Sequence, residues 1–180
     1  MSELEIERVF LLDRMPELSS DLLSSAELWH IDQGYFPPAS ESPSEGESAP
    51  IEGRIRRIRR PDHSEQFIHT VKSGLGLVRE ETERTLTHEE FQTLWPQTEG
   101  RRLRKTRMRI HLDGQCWELD EFLDLGRDLA LAEAELPSPE TPLVPPPWLE
   151  KRILREVTDD PRFRNFHLAS KAGILDLPDW

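Results

Sequence analysis

The chain of 180 residues lacks the features that mark several common classes of protein. Cys116 is its only cysteine, so no disulfide can form within the chain. No apolar run approaches the roughly 20 residues that a membrane-spanning helix requires, and the N-terminus has no charged-then-apolar signal peptide. We therefore expect a cytoplasmic protein without a membrane partner, and the length predicts a single domain over residues 1–180.

Sequence motifs for zinc binding, nucleotide binding and nucleic-acid binding are also missing. The six histidines show neither HxH nor HExxH spacing, and Gly74-Leu75-Gly76 is too short to match a Gly-rich phosphate loop. The net charge is −12 and the isoelectric point is near 5.0. Because duplex binding depends on positive charge, this composition argues against nucleic acid as the main partner.

The basic residues that the chain does have are concentrated in two segments. Eleven of its 23 Lys and Arg residues lie in Arg54–Arg60 and Arg101–Arg109, in an alternating pattern. Carboxylates alternate with apolar residues in the same way in Glu3–Glu7, Trp117–Asp120 and Ala132–Leu136. Residues i and i+2 of a strand share a face. Several such strands would give a sheet with one apolar face and one face dense in charges of both signs.

About eight strands are predicted, most of them joined by hairpins. They cover residues 5–12, 28–36, 54–60, 65–72, 77–86, 103–112, 115–122 and 129–136. Asp113-Gly114 is a strong hairpin signal, and Thr87-His88-Glu89-Glu90 fits a capping box that begins a helix ending near Trp95. The predicted fold class is mainly β (α+β), an antiparallel sheet that closes or nearly closes, with a few short helices.

Two segments fall outside this strand pattern. Residues 39–50 are rich in Ser, Glu, Pro and Gly, which predicts a flexible loop. Residues 137–180 read as a Pro-rich connector followed by a helical tail, with helical stretches around 148–156 and 163–172.

Four of the predicted strands each present two acids on one face. These pairs are Glu5 and Glu7, Glu81 and Glu83, Glu118 and Asp120, and Glu133 and Glu135. A single pair is ordinary on the exposed face of an edge strand. Four pairs in one sheet would repel one another unless a cation neutralises them. Clusters of carboxylate oxygens suit Mg²⁺ or Mn²⁺, so the pattern predicts a divalent-metal site.

The alternating cations predict a phosphate-bearing ligand. They are Arg54, Arg56, Lys72, Arg79, Lys105 and Arg107. Such residues also solubilise surfaces, but that role does not require strict alternation within strands. Arg contacts phosphate through paired N–H groups and Lys acts as a point charge. Cations and metal ions directed at phosphate oxygens are the working parts of phosphoryl transfer.

Short motifs along nearly the whole chain resemble those of the triphosphate tunnel metalloenzymes, also called CYTH proteins. In order they are Glu5-Ile6-Glu7-Arg8, Gln33-Gly34-Tyr35, Arg54-x-Arg56, Thr70-Val71-Lys72, Arg79-x-Glu81-x-Glu83, Lys105-Thr106-Arg107, Glu118-Leu119-Asp120, Glu133-x-Glu135 and Glu156-Val157-Thr158. The segment from Leu94 to Arg107 resembles the small bacterial tripolyphosphatases of this family in particular.

The resemblance implies an eight-stranded antiparallel barrel that closes around a tunnel. It also implies metal-dependent hydrolysis of a phosphoanhydride bond in inorganic tripolyphosphate or a related triphosphate, with Mg²⁺ or Mn²⁺ as cofactor. The implied metal ligands are Glu5, Glu7, Glu133 and Glu135, with Asp120 or Glu81 and Glu83. The implied phosphate-binding residues are Arg54, Arg56, Lys72, Arg79, Lys105 and Arg107, and the implied catalytic residues are Glu5, Glu7, Tyr35 and Lys105. The expected partner is a triphosphate-containing small molecule, and the expected state is a monomer or homodimer.

The chain departs from the family at Val9, which occupies the lysine position of the family's ExExK motif. Alternation places Val9 on the tunnel face, where a lysine would contact phosphate and, in some members, pair with the tyrosine matched here by Tyr35. A non-catalytic protein that binds polyphosphate or nucleoside triphosphates is therefore one alternative, and an adenylate cyclase of the same family is another. Arg57 and Arg59 are an alternative tunnel pair to Arg54-x-Arg56, which we prefer because Ile55 then faces outward.

Overall fold

The computed structural model describes residues 3–37, 52–73 and 78–179, and it consists mainly of one antiparallel sheet. The strands are β1 (Glu3–Leu12), β2 (Glu27–Tyr35), β3 (Glu52–Arg59), β4 (Glu65–Ser73), β5 (Val78–Leu86), β6 (Arg102–Leu112), β7 (Gln115–Phe122), β8 (Ala130–Glu135) and β9 (Ile153–Glu156). The helices are α1 (Ser20–Ser25), α2 (His88–Leu94), α3 (Pro147–Glu150), α4 (Asn165–Leu168) and α5 (Lys171–Leu175). The described part contains no helix that is long and apolar enough to cross a membrane.

The sheet curls around a central channel. Its strand order is β5-β4-β3-β2-β6-β7-β8-β1-β9, and β5 also pairs with β1. The first residues of β1, Glu3 to Ile6, lie against β5, whereas Glu7 to Leu12 lie against β8. The prediction of a mainly β, antiparallel fold with a few short helices is confirmed.

The described residues form nine strands where the sequence predicted about eight. The additional strand, β9, lies in the tail and pairs with β1 at Phe10 to Leu12. The prediction of a helical stretch over 148–156 is correct only for its first part, where α3 lies. Because β5 covers only the first residues of β1, the rest of that edge has free backbone groups, and β9 pairs with them. The predicted loop at 39–50 and the glycines of 74–76 lie outside the described residues.

Apolar side chains fill one end of the channel. Strand residues that point inward, such as Leu11, Leu103 and Leu131, form one buried cluster with Phe163 and Leu168 of the tail. We call this group, together with Tyr35, Phe122, Leu125, Leu129, Val157, Ala169 and Leu177, the end cluster. Because the tail packs into this end, the charged inward residues are confined to the rest of the channel.

The outward faces of the strands are covered by the short helices. α1 and α3 lie on a cluster that includes Phe10, Ile110 and Trp117. α2 lies on Ile55 and neighbouring residues of β4 and β5, and it begins with the predicted capping box at Thr87. Both faces of the sheet are therefore packed, which holds the strand registers that position the channel residues.

Candidate functional site

A cavity of about 250 Å³ lies inside the channel, and charged side chains dominate its walls. The acids that line it are Glu5, Glu7, Glu81, Glu83, Glu118, Glu133, Glu135 and Asp160, and the cations are Arg54, Arg56, Lys72, Arg107 and Arg164. The registers bring these residues together, since Glu7 lies opposite Glu135 and Glu118 lies opposite Glu133. Alternation within strands and antiparallel pairing thus place charges of both signs on one concave wall.

On the β6–β7–β8 side, the cations are bonded to carboxylates. Arg107 donates from Nε to Asp120 Oδ1 at 2.7 Å and from Nη2 to Asp120 Oδ2 at 2.6 Å, and it also donates to Glu118 and Glu133. Burial opposes its charge, but Asp120, Glu118 and Glu133 outweigh burial and raise the Arg107 pKa well above its ordinary value. Arg107 therefore bridges three acids on two neighbouring strands.

Lys105 and Asp120 lie behind the cavity wall and are not part of its lining. The side chain of Lys105 is 2% exposed and that of Asp120 is fully buried. Lys105 Nζ donates to Asp120 Oδ2 at 2.5 Å and to Asn165 Oδ1 at 3.2 Å. Burial, together with the nearby charge of Arg107, lowers the Lys105 pKa. This pair supports the wall from behind.

On the β3–β4–β5 side, part of the basic hydrogen-bonding capacity is unused. Lys72 Nζ lies 2.6 Å from Glu5 and 2.7 Å from Glu81, and Arg56 Nη2 donates to Glu83 at 2.5 Å. The Nε atoms of Arg54 and Arg56 are buried and have no hydrogen-bond partner among the described residues. Burial, with the charge of Arg54 beside it, lowers the Arg56 pKa to about 10. These two guanidinium groups therefore have donors to offer to an anion in the cavity.

Tyr35 joins this cationic side to the end cluster. Its hydroxyl accepts a hydrogen bond from Gln33 Nε2 at 2.7 Å, and its ring packs edge-to-face against Phe166 at 5.3 Å. Burial would lower the Arg54 pKa, but the nearby oxygens of Tyr35, Glu81 and Glu5 outweigh it and raise this pKa. Tyr35 is thus positioned to hold Arg54 at the cavity wall.

Two acids of β8 have pKa values shifted in opposite directions, Glu133 by nearby cations and Glu135 by repulsion from other acids. Burial would raise the Glu133 pKa, but Arg107 and Lys105 lower it. The Glu135 pKa is raised by burial and by repulsion from Glu5, Glu118 and Glu81. Among the described residues no three His, Cys, Asp or Glu side chains form a ready-made metal group. The donors at the wall are nevertheless carboxylate oxygens in mutual repulsion, and this chemistry fits a hard divalent cation.

Most of the residues that the sequence singled out line this one cavity. These are Glu5, Glu7, Tyr35, Arg54, Arg56, Lys72, Glu81, Glu83, Arg107, Glu133 and Glu135. Arg79 lies on β5, where its backbone pairs with Glu5 of β1. The alternative pair, Arg57 and Arg59, is on the outer face, where both donate to Asp32.

Val9 lines the cavity and holds the tail. Its N–H donates to Thr158 Oγ1 at 3.0 Å, and its carbonyl accepts from the Val157 N–H at 2.8 Å. The Val9 side chain packs against the end cluster. Sequence analysis did not assign the tail residues Arg164 and Asn165 to the site, because the tail has no strand alternation from which to infer a face.

Comparison with known proteins gives a consistent set of relatives, although no family model matches the chain. An inorganic triphosphatase of Nitrosomonas europaea is 36% identical over 177 residues, which cover 97% of this chain and 99% of that protein. An inorganic triphosphatase of Acetivibrio thermocellus is 41% identical over 66 residues, 37% of this chain and 40% of that protein. A crystal structure of an inorganic triphosphatase is 33% identical with a TM-score of 0.57, covering 97% of this chain and 99% of that one.

Proposed function

Since the chain belongs to the triphosphate tunnel metalloenzymes, the family of the inorganic triphosphatases that it is similar to, we propose that it hydrolyses a phosphoanhydride bond of inorganic tripolyphosphate or a related triphosphate. The observation that carries this proposal is the pair of buried Nε donors of Arg54 and Arg56 at the cavity wall, without partners among the described residues. A polyanion supplies the acceptors that these donors lack, and leaving buried donors unpaired is costly.

A divalent cation accompanies the substrate in this proposal. Among the described residues at the cavity wall acids outnumber cations, so a polyanion alone would meet net repulsion there. We assign Glu5, Glu7, Glu133 and Glu135 as the residues that would hold Mg²⁺ or Mn²⁺, with Glu81 and Glu83 in support, because Asp120 lies behind the wall. When bound, the metal would neutralise phosphate charge and lower the pKa of bound water.

The remaining work is done by the residues of the chain. Arg54, Arg56 and Lys72 bind phosphate oxygens and stabilise the negative charge that develops as the phosphoanhydride bond breaks. Arg107 keeps the acids of β7 and β8 in place, and Lys105 supports it from behind the wall. Arg79 is proposed as a further phosphate-binding residue because its backbone pairs with that of Glu5.

A protein that binds the same ligand without turnover is the alternative that Val9 favours. Its aliphatic side chain provides no charge at a position where the family has a lysine. The cytoplasmic location, the monomer or homodimer and the absence of a nucleic-acid partner stay predictions.

The decisive experiment measures phosphate release from tripolyphosphate, ATP, thiamine triphosphate and pyrophosphate, with Mg²⁺, with Mn²⁺ and with EDTA. We expect metal-dependent release, fastest from tripolyphosphate, and its loss in Glu7→Gln. Glu121→Gln is the matched control, because Glu121 lies on β7 but is exposed on the outer face. Tight binding of tripolyphosphate without release under any condition would favour the binding protein, and undiminished release in EDTA would contradict the metal.

A further inference from the structure

The C-terminal tail enters the end of the channel and is held there at several points. Val9 bonds to the tail through both its N–H and its carbonyl group. Phe163 and Leu168 are buried in the end cluster, with exposures of 3% and 0%. Residues 164–166 lie between these two anchors and line the cavity. Their positions are therefore fixed by packing on both sides.

Arg164 is the cation that the tail brings to the cavity. Its backbone N–H donates to Pro161, and its carbonyl accepts from the Leu168 N–H at 3.0 Å, so the main chain is fixed. Its side chain is partly exposed and makes no hydrogen bond or ion pair within residues 3–37, 52–73 and 78–179. Asp160, an acid of the tail that lines the cavity, accepts from Arg162 at 2.8 Å and makes no bond to Arg164 within the described residues.

Three of the strand cations differ from Arg164 in what a ligand must displace. Arg107 is bonded to three carboxylates, Lys72 to two and Arg56 to one. An anion that binds these groups competes with carboxylates already in place. An anion that binds Arg164 displaces only water, so this contact forms without loss of an internal ion pair.

We propose that Arg164 is a substrate-binding residue that contacts the phosphoryl group at the tail end of the cavity. This inference rests on the proposed function, and it assigns part of the phosphate site to an element outside the channel strands. Asn165 supports the assignment, because it bonds to Lys105 and keeps that ammonium on Asp120, behind the wall. Val9 and the end cluster provide no cation at this end of the cavity. Arg164 is therefore the residue that would pair with the phosphate charge there.

The test compares Arg164→Gln with Arg162→Gln. Arg162 is two residues away and bonds to Asp160, but its own side chain lines a surface hollow and not the cavity. Tripolyphosphate affinity is measured by calorimetry with Ca²⁺, a hard cation that neutralises the wall carboxylates, and kcat and KM are measured with Mg²⁺. We expect Arg164→Gln to weaken the affinity and raise KM about tenfold, the scale of one charge-assisted contact. Arg162→Gln should stay within about twofold, and Arg164→Lys should recover most of the loss.

Several outcomes would overturn the inference. The first is that Arg164→Gln binds tripolyphosphate as tightly as the wild type while the wild type hydrolyses it normally, which would leave the proposed function intact. The second is that Arg164→Gln and Arg164→Lys lose affinity equally and both melt at lower temperature, which would indicate a structural role. A wild-type protein that neither binds nor hydrolyses tripolyphosphate would overturn the proposed function, and this inference with it.

Discussion

Strands β3 and β6 flank β2 and carry the same alternating pattern of cations, yet the two pairs have different surroundings. On β6, Lys105 and Arg107 are bonded to carboxylates, and Lys105 lies behind the cavity wall. On β3, Arg54 and Arg56 line the cavity and keep buried Nε donors without partners among the described residues. The β6 pair therefore holds the site together, whereas the β3 pair, within the described part of the chain, keeps one unpaired Nε donor on each guanidinium for the ligand.

The neighbouring strands cause this difference. Arg107 lies opposite Asp120 on β7, so a carboxylate is built into the cross-strand pair. Arg54 and Arg56 lie opposite Thr70 and Ile68 on β4, which carry no charge. Among the described residues, the acids near Arg54 and Arg56 are on β5 and β1, so part of the hydrogen-bonding capacity of these two cations is left for a ligand.

The largest expected effect follows from removing Arg107. Arg107→Ala removes the cation shared by three acids; Lys105 stays on Asp120 and Arg109 on Glu118, but buried Glu133 loses its bonded guanidinium and Asp120 loses two hydrogen bonds. We expect the free energy of unfolding to fall by about 3–5 kcal/mol, the usual cost of breaking a buried ion pair from one side. Guanidinium unfolding without metal or ligand measures it.

Arg104→Ala is the matched control on the same strand. The side chain of Arg104 is 61% exposed and pairs with Asp124 on the outer face, so its loss should cost less than about 1 kcal/mol. Equal losses for the two variants would contradict the structural role that distinguishes β6 from β3.

Removing a cation of β3 should weaken ligand binding more than it lowers the free energy of unfolding. Arg54→Met keeps the aliphatic stem, removes a cation whose charge disfavours that of Arg56, and deletes the donors offered to phosphate. Tripolyphosphate binding should weaken by roughly 1.5–3 kcal/mol, with a smaller change in unfolding free energy than Arg107→Ala causes. Arg57→Met, on the outer face of the same strand, should leave binding unchanged. If Arg54→Met lowered the free energy of unfolding as much as Arg107→Ala does, the cations of β3 would have the same structural role as those of β6, which would contradict the proposed difference.

The sequence was sufficient to predict which residues share a strand face. It did not predict which carboxylate each cation bonds to. Alternation left two candidate inward pairs, Arg54 with Arg56 and Arg57 with Arg59, and the preferred pair, Arg54 with Arg56, is the one that lines the cavity. It could not distinguish Arg54 from Lys105, since that difference depends on which strand lies alongside. The tail was harder still, because Arg164 owes its position to buried Phe163 and Leu168, which sequence periodicity does not connect to the channel.

The smallest expected effect is on the Tm, and it concerns two acids on β8, Glu135 and Glu133. The Glu135 pKa is raised by burial and by repulsion from Glu5, Glu118 and Glu81, so its negative charge destabilises the folded state. That cost is present above the folded-state pKa and disappears as the pH falls below the unfolded value of about 4.3. We therefore expect Glu135→Gln to raise the Tm by about 1–2 °C at pH 7 without metal, and to leave it unchanged near pH 4.

Glu133 lies two residues from Glu135, and Glu133→Gln should change the Tm in the opposite direction. The Glu133 pKa is lowered by Arg107 and Lys105 against the effect of burial, so its charge stabilises the folded state. That stabilisation is present above the unfolded pKa and is lost as the pH falls through the lower, folded-state value. The Tm of Glu133→Gln should therefore lie below that of the wild type at pH 7, and the gap should narrow with acid. Shifts of the same sign for both variants would mean that Arg107 does not distinguish the two carboxylates.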